Sequence, residues 1–531
     1  MRATATTSST KASSLPDEEV AGFGGEVVAH GCARARLVVT ESVVCAGTER
    51  RLSAAPAGTL HAPDAAFRVL ERAPFVRDHR DNASGEAHRA VRWWQNDVRR
   101  SHCRVPAGAP GDRPSARRAV ARQLMRIAWG GPPPIESGGL HTAAVQLLGG
   151  LVRQGASVDC YVAAAPDQLV PELRGETGVE LIACPIPTAG DRWYRYAPAS
   201  VLVAQQAARA IAQRRLFVEL LRRHRERPYD VYYQFSQLEV IASRSVLRQL
   251  PPVALHPQVH ALGERRWLWR ERALPQGRGA GLRLAAMSTL LTARARQQGR
   301  SLAAATLVIA PSRRFAHDLE RDHGLAPEKL RVVPNPVDLE RFPLGPGSRS
   351  APLRLLFVSY LAVRKGVEMV VELSRRLRDL SGKVEIVVIG APRLWSDYRP
   401  LLANLEPAIA RYEGALESDE LPRWFGTSDA ILQPSHYEPF GLTLAEGLAS
   451  GACAVASDVV GAAEDVSSDC VWRFRAGDAD SLETAVRRML GTLGDVGASR
   501  RTLARSEAAR LFGEGPVVTQ LGEALASVYR L

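Results

Sequence analysis

A chain of 531 residues with 46% hydrophobic and 24% charged side chains has the composition of a globular protein built from several domains. Its net charge of +13 rests almost wholly on arginine. No aromatic-interleaved basic strand, zinc-finger spacing or helix-turn-helix pattern accompanies that charge, so nucleic acid is not expected as a partner. No apolar run reaches the roughly 18 residues of a spanning helix, and the seven cysteines lack C-x-x-C spacing, which points to reduced thiols in a cytoplasmic protein.

Residues 1–124 are dominated by Ala, Arg, Gly and Pro, with Trp93 and Trp94 nearly alone as an apolar anchor. Their poor periodicity predicts a disordered or poorly structured extension, in which 37–44 is the best strand candidate. The first residues, Met1 to Lys11, lack the apolar core of a signal peptide. The fold pattern opens at Met125, which is expected to begin the functional part of the protein. A strand at 127–129, a loop at 132–139 and a helix at 141–154 come first. Strands follow at 158–163, 179–182, 231–235, 253–256, 307–310 and 331–333, with a basic-faced helix at 208–225. Such alternation predicts a doubly wound parallel sheet.

The Pro- and Gly-rich stretch 343–350 marks a boundary. Beyond it the alternation repeats, with strands at 355–358, 384–389, 430–433 and 453–457. Helices are predicted near 367–380, 398–406, 419–426, 443–450, 480–492 and 498–509, and an amphipathic segment, 517–530, closes the chain. The expected fold class is α/β, two Rossmann-like doubly wound domains facing across a cleft. Residues 125–345 form the first domain, 346–505 the second and 506–531 a terminal helix. Ligands of such sheets bind at the carboxyl ends of the strands, so facing halves enclose the site between them.

The most informative stretch runs from Ser435 to Gly451. Glu438 precedes a Pro439-Phe440-Gly441 turn, and Glu446 falls one turn into the helix that follows. A helix start reached through glycine offers unpaired N–H groups and a positive dipole end, a seat for phosphate on the amides of Gly441, Leu442 and Thr443. A carboxylate accepts two hydrogen bonds from a vicinal diol, so Glu438 and Glu446 can each hold one sugar ring of a single ligand. A solvated helix glutamate and a dipole-favoured acid would explain either residue alone. They would not explain the turn between them together with the small helix residues Ala445, Gly447 and Ala449.

Lysine occurs only at positions 11, 329, 365 and 383. Lys365 stands beside Gly366 directly after a predicted strand, where an ammonium on a flexible stem suits a diphosphate. An ordinary surface lysine is the plain alternative. Gly138 and Gly139, in the loop after the first strand, would let backbone approach that diphosphate closely.

The Glu438–Glu446 stretch resembles the E-x7-E motif of the family 4 retaining glycosyltransferases, which have the GT-B fold. Other segments resemble the family in the same order. These are Val333-Pro334-Asn335-Pro336-Val337-Asp338, the Lys365-Gly366 loop, the strand ending in Gly390, Tyr412-Glu413-Gly414, and Gly461-Ala462-Ala463-Glu464. The resemblance implies an acceptor domain at 125–345, a nucleotide-sugar donor domain at 346–505 and a terminal helix crossing back to the first domain. It implies catalytic roles for Glu438, Lys365 and His256, the last resembling the family's active-site histidine, with His260 as the competing choice. Donor binding would fall to Gly138, Gly139, Arg364, Lys365, Glu438, Phe440, Gly441, Leu442, Thr443 and Glu446. The family often has arginine where this chain has Tyr360, so Arg364 is expected to supply the second cation.

The implied reaction moves a glycosyl unit from a nucleoside diphosphate sugar, as co-substrate, to an acceptor hydroxyl with retention of configuration. Protein cations would stabilise the leaving diphosphate, and neither a metal nor another cofactor is expected. The acceptor stays open between glycan, lipid and small metabolite. Peripheral contact with the inner face of the membrane is a further expectation, through the 208–225 helix. A glycosidase, a sugar phosphorylase on the same fold and a non-catalytic nucleotide-sugar-binding protein are the competing readings.

Overall fold

The computed structural model describes residues 125–131, 139–162, 178–184, 199–236, 242, 244–270, 280–348, 352–392 and 398–529. All of them belong to one compact unit, Gly108–Leu531. The expectation of disorder for 1–124 lies outside the described residues, as does Gly138.

Two parallel sheets organise this unit. The first contains β1 (Arg126–Gly130), β2 (Ser157–Val162), β3 (Val179–Ala183), β4 (Val231–Ser236), β5 (Val253–Pro257), β6 (Leu307–Ala310) and β7 (Leu330–Val332), in the order β3-β2-β1-β4-β5-β6-β7. The second contains β8 (Leu353–Val358), β9 (Val384–Ile389), β10 (Ala410–Gly414), β11 (Ala430–Gln433), β12 (Cys453–Ser457) and β13 (Val471–Phe474), in the order β10-β9-β8-β11-β12-β13. All pairings between these strands are parallel. Both orders reverse after the first strand of the sheet, as doubly wound Rossmann sheets do. The α/β expectation of two facing Rossmann-like sheets is borne out.

Each sheet carries apolar side chains on both faces, which is why its strands read as continuous Val, Ile, Leu and Ala runs. One face of the first sheet buries Ile127, Val158 and Val231 under the helix Gly139–Arg153. The other face packs Phe217, Leu220 and Leu221 of the helix Ala199–Glu226. Two arginines near the end of that helix are taken up in ion pairs, while Arg214 and Arg215 stay exposed. Arg222 meets Glu219 and Glu226, and Arg223 meets Glu180.

The second sheet is bridged by one helix, Ala479–Phe512, where the sequence predicts two. Its first turns bury Leu482, Val486 and Met489 in one core, and its last turns bury Ala504, Ala508 and Phe512 in the other. Gly513 ends it. The helix Glu514–Tyr529 then lays Val517, Leu521 and Leu525 against Ala143, Leu147 and Leu151 of the first half. Gly150 makes this crossing close, since a Cβ there would run into Val518. Among the described residues, no helix is long and apolar enough to cross a membrane.

Candidate active site in the cleft

The carboxyl ends of β8, β9 and β11 open onto a cleft of about 670 Å³, whose opposite wall comes from the first half. β8 and β11 are the strands at which the second sheet reverses, the place where such sheets bind ligands. The cleft brings together Gly139, Arg364, Lys365, Glu438, Phe440, Gly441, Leu442, Thr443 and Glu446.

Backbone geometry explains the glycines that shape this wall. Gly366 has φ +74°, and a Cβ there would run into the Pro434 carbonyl oxygen. Only glycine lets the Lys365 loop lie on the end of β11. Gly441 has φ +107° and caps the helix Leu442–Ala449 from the left-handed region. Further along that helix, Gly447 sits directly on the Ile431 side chain. The small residues of this helix thus seat it close on β11 and fix where its N-terminus points.

Lys365 Nζ forms an ion pair with Glu438 Oε2, and both side chains are largely buried. The Tyr360 ring lies beneath both cations, 5.1 Å from Arg364 Cζ and 5.2 Å from Lys365 Nζ. Arg364 is also engaged with Glu264 at 3.4 Å and donates to the Tyr437 carbonyl at 3.2 Å. Arg364 therefore joins the halves as well as lining the cleft. Phe440 is buried edge-on against Phe512, at 5.5 Å.

Glu446 projects from the first turns of its helix toward Gly139. Burial pushes its carboxyl up to about 7, against the attraction of Arg341. Arg341 donates to the Ser418 carbonyl at 2.8 Å and hydroxyl at 2.6 Å, and to the Thr142 hydroxyl at 3.4 Å. It ties the loop after β10 to the first half.

His256 does not line the cleft. It is fully buried among Tyr233 and Phe235, with Nδ1 2.8 Å from the Tyr233 hydroxyl. Burial lowers its pKa to about 3, only partly offset by the Val333 backbone, so the ring is neutral. His260 is also fully buried, 3.5 Å from Asp322, with its pKa lowered to about 4, chiefly by burial. The first-half residues that do reach the cleft beside β5 are Gln258 and Val259.

Several cross-half contacts surround the site that no local sequence signal reveals. Trp267 stacks on His436, with centroids 4.6 Å apart and planes at 14°. Gly263 is pressed against the Tyr437 ring. Ser312 donates to the Pro439 carbonyl at 2.7 Å and accepts from Phe315 N, capping the helix Arg313–His323. Glu464 accepts from the N–H groups of Arg313 and Arg314 at 3.0 and 2.7 Å. This glutamate, quoted above for its family resemblance, holds a helix N-terminus of the other half.

Two facing Rossmann-like sheets with a ligand-sized cleft at their strand ends define the class of two-domain GT-B proteins. Two sequence families divide the chain along the same lines. "Glycosyltransferase Family 4" matches residues 137–341, and "Glycosyl transferases group 1" matches residues 352–492. The chain belongs to the group 1, family 4 glycosyltransferases.

Among curated proteins, it is 32% identical over 200 residues to a glycogen synthase of Mycobacterium tuberculosis, covering 35% of this chain and 44% of that protein. It is 31% identical over 237 residues to a D-inositol 3-phosphate glycosyltransferase of Xylanimonas cellulosilytica, covering 40% and 54%. The chain spans about half or less of the curated relatives it matches. Among solved structures, a sucrose-phosphate synthase from Thermosynechococcus elongatus superposes with a TM-score of 0.55 at 18% identity, covering 76% of this chain and 99% of that one. The catalytic domain of starch synthase IV from Arabidopsis thaliana, bound to ADP and acarbose, gives 0.53 at 13%, covering 77% and 100%. An Anabaena protein in complex with UDP gives 0.50 at 16%, covering 76% and 100%. At these identities the structural likeness is one of fold.

Proposed function

We propose that the protein transfers a glycosyl unit from a nucleoside diphosphate sugar to an acceptor hydroxyl, with retention of configuration. The observation that carries this reading is the Lys365–Glu438 pair beside the N-terminus of the helix Leu442–Ala449, inside a cleft with Glu446 one turn further in. A diphosphate at that helix start meets the amides of Gly441, Leu442 and Thr443 and the Lys365 ammonium. These groups stabilise the charge that builds on the leaving phosphate. Glu438, released from Lys365 as the phosphate takes its place, accepts from the hydroxyls of the transferred sugar. Glu446, on the same helix, accepts from the ribose diol. Gly139 lets the first half close on the ligand. Arg364 acts mainly by holding Glu264 and the Tyr437 carbonyl, and His256 as a neutral core residue beneath the acceptor wall.

UDP in the Anabaena neighbour and ADP in the starch synthase neighbour support a nucleotide in this cleft, and leave base and sugar open. The acceptor is a glycan, lipid or small metabolite. Cytoplasmic placement is supported by the free thiols of Cys160, Cys184, Cys453 and Cys470. Membrane contact through the Ala199–Glu226 helix has little support, because its apolar stripe covers the first sheet; Ile211 and Val218 alone remain exposed there among the residues whose side chains are described.

The test is a binding and turnover screen of UDP-, ADP- and GDP-sugars against the full chain. The expected result is a raised melting temperature with one nucleotide class and release of its nucleoside diphosphate on adding acceptor extracts. Sugar release from oligosaccharides in the absence of any nucleotide sugar would overturn the reading.

A further inference from the structure

We propose that Gln258 is a specificity-determining residue of the cleft, its carboxamide NH2 donating to an uncharged oxygen of the sugar ring bound there. Gln258 follows β5 directly, is only 8% exposed, and lines the cleft. Its Oε1 accepts from Asn335 Nδ2 at 2.7 Å, and in this arrangement its NH2 turns outward from that bond. Nε2 has no hydrogen-bond partner among the described residues. A buried donor without a partner is rare in native structures, and one on a residue that lines a cleft is explained by a ligand acceptor atom.

The position is built to be rigid. Gln298, buried on the helix Ala280–Ala304, donates to the Val259 carbonyl at 2.7 Å and accepts from Ala261 N at 3.0 Å, clamping the loop that carries Gln258. Asn335 stands between Pro334 and Pro336, whose rings restrict the backbone on both sides. Donor and support are both held before a ligand arrives, as a specificity contact requires.

Charge separates what this wall reads from what the opposite wall reads. Among the described first-half residues that line the cleft, Arg341 is charged and is held by Ser418, while those around Gln258, namely Thr142, Val259, Met287 and Asn335, carry no charge. The facing wall supplies Lys365, Glu438 and Glu446. Phosphate is matched on the charged side. The neutral side, with amide and hydroxyl groups among apolar ones, fits a hydroxyl-bearing ring. That ring is either the glycosyl unit of the donor or the acceptor, and the chemistry of recognition is the same for both.

The inference rests on the nucleotide-sugar reading of the cleft, and its test separates the two. Calorimetry on the full chain would measure binding of UDP, of UDP-glucose, and of free D-glucose to protein saturated with UDP, or the ADP or GDP counterparts if the wild type prefers them. Gln258→Met removes the NH2 at similar length. Gln258→Glu removes it while keeping an acceptor for Asn335, and guards against misfolding of the first variant. Both variants are expected to bind the bare nucleotide within twofold of wild type. They should lose about tenfold in affinity for UDP-glucose if the donor ring is read, or for D-glucose if the acceptor ring is read. Unchanged affinity for both sugars in both variants would overturn the proposal and leave the nucleotide site intact. A wild type that binds no nucleoside diphosphate or its sugar would overturn the nucleotide-sugar reading, and this inference with it.

Discussion

Gly139 of the first half stands directly over Glu446 of the second. A Cβ at Gly139 would lie 3.3 Å from Glu446 Oε1 and 3.0 Å from Leu442 Cδ1. The two halves therefore come close at the point where one acid of the motif projects, and a side chain there would crowd the ends of Leu442 and Glu446. Gly139→Val should push the walls apart and weaken nucleotide-sugar binding by about tenfold or more, since misplacement of about an ångström is costly in such sites. Gly281→Val, where a Cβ would meet nothing, should leave binding unchanged. Calorimetric titration of both variants provides the comparison.

Glu446 makes donor binding depend on pH near neutrality. Burial raises its carboxyl from the usual 4.5 to about 7, so below that pH it is protonated and cannot accept from both hydroxyls of a diol. Affinity for the nucleotide should rise as pH increases through about 7, and Glu446→Gln should flatten that rise. Stability runs the opposite way. The folded protein holds a proton here that the unfolded chain releases near 4.5, so this contribution is complete below that value and is lost as pH rises to about 7. Glu446→Gln should accordingly raise the melting temperature at pH 8 and leave it nearly unchanged at pH 4.

Lys365 is the cation best placed for the leaving phosphate, because Arg364 is shared with Glu264 and the Tyr437 carbonyl. Lys365→Ala should lower kcat by about 10²–10³, the usual range for a charge-stabilising donor. Lys329→Ala removes a lysine that serves the Ala303 and Ala305 carbonyls outside the cleft, and should leave kcat unchanged. Steady-state turnover of the two variants separates loss of charge at the site from loss of charge in general.

The Glu464 carboxylate caps the helix Arg313–His323 of the other half. Glu464→Ala leaves two N–H groups without this acceptor and should lower the melting temperature by about 1–3 °C. Asp465→Ala removes only the more exposed ion pair with Arg313 and should have a smaller effect. Differential scanning calorimetry reads both.

The interior strands were the most legible part of the fold. The sequence predicts β9, β11 and β12 to the residue, since buried parallel strands are unbroken apolar runs. The edge strands β10 and β13 carry Arg411, Glu413 and Arg473, which mask the pattern, and neither is predicted as a strand. The Ala479–Phe512 helix reads as two because Gly491, Gly494 and Gly497 weaken its propensity, while its two buried ends make it one.

At the site, the residues gathered by the helix start were legible because Glu438, Gly441 and Glu446 are close in sequence. Arg341, Gln258 and the Trp267–His436 stack were not, because each derives its meaning from a partner far along the chain. His256 shows the complementary limit: its place at a strand end is readable, but the direction of its ring depends on Tyr233 and Phe235.

The most direct test of the central claim is a crystal structure of the full chain with the nucleoside diphosphate it binds. The diphosphate should lie within hydrogen-bond reach of Lys365 Nζ and the amides of Gly441, Leu442 and Thr443, with the ribose against Glu446. A nucleotide bound elsewhere, with the Lys365–Glu438 pair undisturbed, would contradict it.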